Sequence, residues 1–141
     1  MLYDVSGQHR NALYLDLEFT CWNTAPPPGM KQEIIEVGVV AMNLETLTIT
    51  DEAAYFVRPD RWEISSKCAE ITGITAKDIR TARPLSLVME AVAARFSPSG
   101  LPCFAWGDDV PLLDKACHEK RFKCPFRRGP DLSAVFQGAF A

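Results

Sequence analysis

The sequence predicts a mixed α/β domain. Three observations carry that prediction. Three strand-like runs follow one another in the first 57 or so residues; a long helical repeat comes next; then a short strand runs directly into a second helix. The chain has 141 residues, 48% hydrophobic and 23% charged, which is the composition of an ordinary globular protein. A chain of this length buries one core, so residues 1–141 read as a single domain.

The first run, residues 12–20, alternates at period two. Leu13, Leu15, Leu17 and Phe19 share one face; Tyr14, Asp16, Glu18 and Thr20 share the other. The stretch "NTAPPPGMKQ" at 23–32 breaks regular structure, because three prolines and a glycine favour an exposed loop. "EIIEVGVVAM" at 33–42 is apolar on both faces in its middle, as expected of a central strand. "NLET" supplies a hairpin turn into a third strand, "LTITDEAAYFVRP", with an interruption expected near Asp51 and Glu52.

Short helical turns come next. Ser65 or Ser66 caps "KCAEIT", and Gly73 ends it. Thr75 with Asp78 forms a capping box in which Asp replaces the usual Glu. In "PLSLVMEAVAARFSPSG", Leu85, Val88, Met89, Val92 and Phe96 follow the helical period behind Pro84. "LPCFAWGDD" is a short strand leading to a helix from about Asp109 that should bury Leu112, Leu113, Ala116 and Cys117. "KRFKCPFRRGP" reads as basic and irregular, and "DLSAVFQGAFA" as a last strand or helix. Strands one to three should be antiparallel, with a right-handed crossover carrying the fourth strand alongside the first.

Composition narrows the function. A net charge of −3 does not suit a strong duplex binder, which needs a basic footprint. No apolar run approaches the ~18 residues of a membrane span, and the N-terminus has no basic-then-apolar signal pattern, so a cytoplasmic protein is expected. Five scattered cysteines suit free thiols. Cys21 has no histidine placed to activate it. Cys117, His118 and Cys124 fall short of a zinc set and read more simply as a helix face with a buried thiol. Lys115, Lys120, Arg121, Lys123, Arg127 and Arg128 form a basic cluster suited to a phosphate backbone or to solvent.

The informative residues are Asp16 and Glu18. Carboxylates two apart on a strand project the same way, about 6.5–7 Å apart, and repel unless they face water or a cation. An all-oxygen site of this kind suits Mg2+ or Mn2+. Asp108 and Asp109 lie at the exit of the fourth strand, which a crossover would bring near the pair. Three acids converging from separate segments are the raw material of a two-metal phosphoryl-transfer site.

Taken in order, "YLDLEFTCW", "PPPGMKQEIIEVGVV", "YFVRP", "ISSKCAEITGIT" and "WGDDVPLLDKAC" resemble the DEDD (DnaQ-like) 3′-5′ exonuclease superfamily. The nearest branch resembles the exoribonucleases that trim histone-mRNA ends and small RNAs. The resemblance covers about residues 11–135 and implies an RNase H-like fold that hydrolyses phosphodiester bonds at a 3′ end of RNA or single-stranded DNA with Mg2+ or Mn2+. It implies that Asp16 bridges both metals and that Glu18 holds one. The second acid is Asp108 by its spacing to Leu112, Leu113 and Cys117, or Asp109 if one residue is deleted; the spacing favours Asp108. Phe19, Thr20 and Trp22 match positions that contact the terminal nucleotide, and Ile74 lies in a loop that stacks on it; strand alternation equally allows Phe19 a place in the core.

The family's third motif, a general-base His (or Tyr) followed by an Asp about five residues later on a C-terminal helix, has no match here. His9 precedes the first strand and His118 lies in the crossover helix. The resemblance therefore leads to the expectation of an incomplete exonuclease domain with weakened metal binding and impaired activity. The alternative is an inactive relic that binds nucleic acid or protein. An exposed apolar patch is also expected, covered by a partner or by self-association.

Overall fold

The computed structural model describes residues 10–61 and 63–139. Five strands form one sheet in the order β3-β2-β1-β4-β5. Strands β1 (Asn11–Phe19), β2 (Ile34–Asn43) and β3 (Thr48–Phe56) are antiparallel neighbours. Strands β4 (Pro102–Ala105) and β5 (Arg127–Asp131) run parallel to β1 and to each other. The helices are α1 (Ser66–Thr72), α2 (Ala76–Arg80), α3 (Leu85–Phe96), α4 (Asp109–Glu119) and α5 (Leu132–Ala139).

The alternation in β1 decides which face of the sheet is covered. Leu13, Leu15 and Leu17 are buried in one cluster with Val88, Met89, Val92 and Phe96 of α3 and Val110, Leu113 and Cys117 of α4. Tyr14, Asp16 and Glu18 therefore point to the opposite face. There, with Glu36, Gly38 and Val40 of β2, Tyr14 and Asp16 line an open hollow of about 570 Å³. A second, smaller cluster of Ile35, Cys68, Ile74 and Ile79 anchors α1 and α2.

Local chemistry fixes the turns as the sequence implies. Asn43 Oδ1 accepts the amides of Glu45 and Thr46 in the β2–β3 hairpin. Ser65 Oγ accepts the Cys68 amide, and Gly73, at φ 74°, closes α1 in the left-handed region. The Asp78 carboxylate accepts both the amide and the hydroxyl of Thr75. The interruption expected near Asp51 is a β-bulge. Ala41 pairs with Asp51 but Met42 pairs with Ile49, so Thr50 is an extra residue in β3. A second bulge lies in β2. Glu18 faces Glu36 while Phe19 faces Ile34, which sends Ile34 into the main core and Ile35 into the second cluster.

Two expectations are corrected. Part of the basic stretch is ordered as β5, and the reason is Gly129: a Cβ there would lie 2.0 Å from the Cys103 carbonyl oxygen, so only glycine allows β5 to close on β4. The segment after it takes the helical of the two forms expected. Leu112 does not join the core. It is 42% exposed, whereas Leu113 is fully buried, because adjacent helical residues point about 100° apart. Leu113→Ala should therefore cost about 2–5 kcal/mol, and Leu112→Ala should fall within about 0.5 kcal/mol of the wild type, as read from urea unfolding midpoints.

Candidate active site

The site is built where the β1–β4 ladder stops. The last parallel pair is Leu15 with Ala105, so the Leu17 amide has no strand partner on that side. Asp109, in the first turn of α4, supplies one: its Oδ2 accepts the Leu17 N–H at 3.0 Å. The backbone atom gripped lies between Asp16 and Glu18. One hydrogen bond thus brings an acid from ninety-two residues away onto the segment that carries the other two.

The acid that this hydrogen bond holds against β1 is Asp109, one residue beyond the spacing-favoured Asp108. Asp108 occupies the N-cap position of α4 without a side-chain capping bond and is exposed. A helix start displaced by one residue makes the two aspartates indistinguishable in sequence, and only the closure of the ladder separates them.

Electrostatics register the crowding. Burial first, then the charges of Asp16, Glu36 and Asp109, hold the Glu18 carboxyl above the usual carboxylate range. Burial also raises Asp109, with Asp16 and Asp108 adding to the rise and the Leu17 amide opposing it. Glu36, a residue the sequence pattern did not single out, is a fourth member. It stands directly opposite Glu18 in the β1–β2 pair, and burial and Asp16 raise its carboxyl too. The available signal was an acid inside the otherwise apolar "EIIEVG". Like charges directly opposed across a ladder are unfavourable, and here two acids meet that way beside a third.

The donor set fits a hard divalent cation: every available ligand atom is a carboxylate oxygen, and a cation would relieve the repulsion that raises these groups. Among the described residues, no three His, Cys, Asp or Glu side chains stand close enough to hold an ion without moving. Side-chain rotation about the fixed strand and helix start is needed, as long as Asp109 spends one oxygen on Leu17.

The residues matched to nucleotide contacts separate. Thr20 is 2% exposed, its hydroxyl accepts the Glu33 amide at 2.9 Å and its own amide donates to the Glu33 carbonyl, so it staples the loop end to β2. Phe19 packs against the main core, as strand alternation allows. Ile74 is 3% exposed in the second cluster with Ile35 and Ile79. Trp22 lies just past β1 and is half-exposed.

His118 is exposed in the last turn of α4, about 14 Å along the helix from Asp109, and is not placed to act at the acids. His9 lies outside the described residues. Of the basic cluster, Lys120, just past the end of α4, is bonded to Asp60 at 2.8 Å. Cys117 and Cys124 are buried while His118 is exposed, and among the described residues the three do not form a metal set.

An RNase H-like sheet with carboxylates gathered at the exit of its central parallel pair defines a nuclease-type domain. A family model described as exonuclease matches residues 13–99, and the chain belongs to that family. It is similar to the 3′-5′ exonuclease Snipper of Drosophila melanogaster, 38% identical over 73 residues that make up 50% of this chain and 26% of the relative. It is also similar to ERI1 exoribonuclease 2 of Danio rerio, 35% identical over 86 residues, 60% of this chain and 14% of the relative. Among solved structures, the nuclease domain of 3′hExo, a DEDDh family member bound to rAMP, superposes with a TM-score of 0.79 at 27% identity, covering 94% of this chain and 70% of that one. A structure of a 3′-exonuclease in 3′-end specific recognition of the histone mRNA stem-loop gives 0.82 at 26% identity, covering 94% and 49%. The chain spans about a quarter or less of the length of these two curated relatives. Membership implies divalent metal ions in general.

Two outcomes test the geometry. Asp109→Ala should lose about 1–3 kcal/mol by stranding the Leu17 amide, Asp109→Asn should lose less because its amide oxygen still accepts, and Asp108→Ala should change little; chemical denaturation without divalent ions measures all three. Glu36→Gln should stabilise the metal-free protein by about 0.2–1 kcal/mol through removal of the cross-strand repulsion, read the same way.

Proposed function

We propose that this chain is a metal-dependent 3′-5′ exonuclease domain acting on the 3′ end of RNA or single-stranded DNA. The observation that supports this most directly is the Asp109–Leu17 hydrogen bond, which gathers three acids from two distant segments at one place. In this reading Asp16, Glu18 and Asp109 hold Mg2+ or Mn2+, with Glu36 adding negative potential behind them.

Bound divalent ions would supply the Lewis acidity that polarises a phosphodiester and the low-pKa water that attacks it. The chain's own residues do the positioning. Asp16 and Glu18 are fixed on a strand pinned on one side by β2, and Asp109 is fixed by the Leu17 amide. Trp22, half-exposed beyond β1, is the member of the predicted nucleotide-contacting set left free to meet a base. The open face above Tyr14, Asp16 and Gly38 leaves room for a single strand. Among the described residues no histidine stands beside the acids. Five free cysteines suit a reducing, cytoplasmic setting.

The test is shortening of a 5′-labelled single-stranded RNA, and of its DNA counterpart, in Mn2+. The wild type should yield a ladder receding from the 3′ end, and Asp16→Ala and Asp109→Ala should reduce it to background. Mn2+ should also raise the melting temperature of the wild type but not of Asp16→Ala. A melting shift with no cleavage would favour the inactive nucleic-acid-binding alternative. Equal cleavage by wild type and Asp16→Ala would end the exonuclease reading for this chain.

A further inference from the structure

Leu112 serves neither the core nor the carboxylate corner. It is 42% exposed on α4, an apolar side chain left in water. A single exposed leucine is ordinary, but this one walls a groove of about 450 Å³. The groove lies between α4 and the chain that enters β2 and leaves β3, residues 31–34 and 57–60. Ile34, Val57 and Leu85, all members of the main core, and Phe19, which packs on it, line the apolar part. The groove therefore opens on the helix-covered side of the sheet, whereas Asp16 and Glu18 point to the other face.

The rim is charged, and its charges are unevenly paired. Lys31 is bonded to Glu119 at 2.7 Å and Lys120 to Asp60 at 2.8 Å, so two ion pairs tie the end of α4 to both flanking segments. The Glu33 carboxylate accepts the amides of Asp60 and Arg61. Arg58 and Lys115, both exposed, make no side-chain hydrogen bond or ion pair among the described residues. The acids that line the groove are thus engaged, while two of its cations are not.

Size and charge together select an occupant. From Leu112 to Lys120 the α4 wall is ~12 Å long at the helical rise, which is the span of about four extended residues. An apolar cleft with a few placed charges is the usual form of a ligand site. The unpaired cations call for carboxylates, and the lining of Leu112, Phe19 and Val57 calls for an apolar side chain. A nucleic-acid strand carries a charge at every nucleotide and would meet Glu33, Asp60 and Glu119 as well. A peptide places its charges intermittently and matches the pattern.

We propose that this groove docks a short acidic peptide segment of a partner protein, with an apolar side chain seated against Leu112 and Phe19 and carboxylates facing Arg58 and Lys115. The surface is separate from the acids, and the proposal goes beyond the exonuclease reading: it stands whether or not the chain cleaves nucleic acid. The apolar anchor supplies most of the residence time, and the two cations supply steering and salt dependence.

The test starts from a phage-displayed library of random seven-residue peptides, selected on the wild type in EDTA so that no metal bridges a peptide to the acids. Enriched peptides are synthesised with a fluorophore, and their binding is followed by anisotropy. The variants are Leu112→Ala, Arg58→Glu with Lys115→Glu, and, as a control of equal charge outside the groove, Lys77→Glu with Lys123→Glu, each checked for folding by circular dichroism. The enriched peptides should combine Asp or Glu with a large apolar residue. Leu112→Ala should weaken binding about five- to thirtyfold. The Arg58 and Lys115 reversal should weaken it about tenfold or more at low salt, and by less at high salt. The control should bind as the wild type does. Failure to enrich acidic, apolar peptides overturns the proposal. So does wild-type affinity in Leu112→Ala or in the Arg58 and Lys115 reversal, and so does an equal loss in the control, which would mean general charge attraction only. Single-stranded RNA that displaces the peptide and shows the same losses would make the groove a nucleic-acid track, and self-association of the wild type that Leu112→Ala abolishes in sedimentation would make it a contact between copies; either result overturns the proposal too.

Discussion

One hydrogen bond organises the site. A parallel ladder that ended at Ala105 would leave the Leu17 amide unpaired inside a half-buried corner, at a cost comparable to a lost hydrogen bond. Asp109 takes that amide and so determines where α4 begins relative to β1. The placement of Leu113 and Cys117 under the sheet follows from the same start, because a helix fixed at its first turn has its buried face fixed too. The carboxylate that meets the structural need for an acceptor is the one proposed above to serve the chemistry.

The cost of this arrangement is repulsion. Asp16, Glu18, Glu36 and Asp109 crowd one strand end, and burial together with their mutual charge raises Glu18, Glu36 and Asp109. A core built only for stability would not oppose Glu18 with Glu36. The fold tolerates it because the buried leucines of β1 and the two flanking helices hold the strand from the other face. Local conflict is here offset by packing on the covered face.

Much of this was legible in the sequence, for physical reasons. The period-two alternation of β1 gave both its core face and the side on which Asp16 and Glu18 stand. The helical period of α3 identified its five buried residues. What stayed hidden was relational. Gly129 reads as one more loop glycine until a carbonyl is found within a Cβ's reach. Glu36 reads as a strand charge until its cross-strand partner is known to be another Glu. Asp108 and Asp109 differ by one residue in the chain but by a strand pairing in space. Thr20 and Ile74 matched nucleotide-contacting positions by motif, whereas in this structure their side chains are used to join the loop to β2 and to pack the second cluster.

The bulge at Thr50 has an effect beyond its own strand. β3 is the sheet's outer edge, nine residues long, with Ile49 and Phe56 exposed. An uninterrupted edge of that length is a template onto which a neighbouring molecule could add a strand. The extra residue, its hydroxyl folded back on the Ala41 carbonyl at 3.3 Å, breaks the even spacing of outward-facing amides. The irregularity makes this edge a poorer template for an added strand than an unbroken ladder would be.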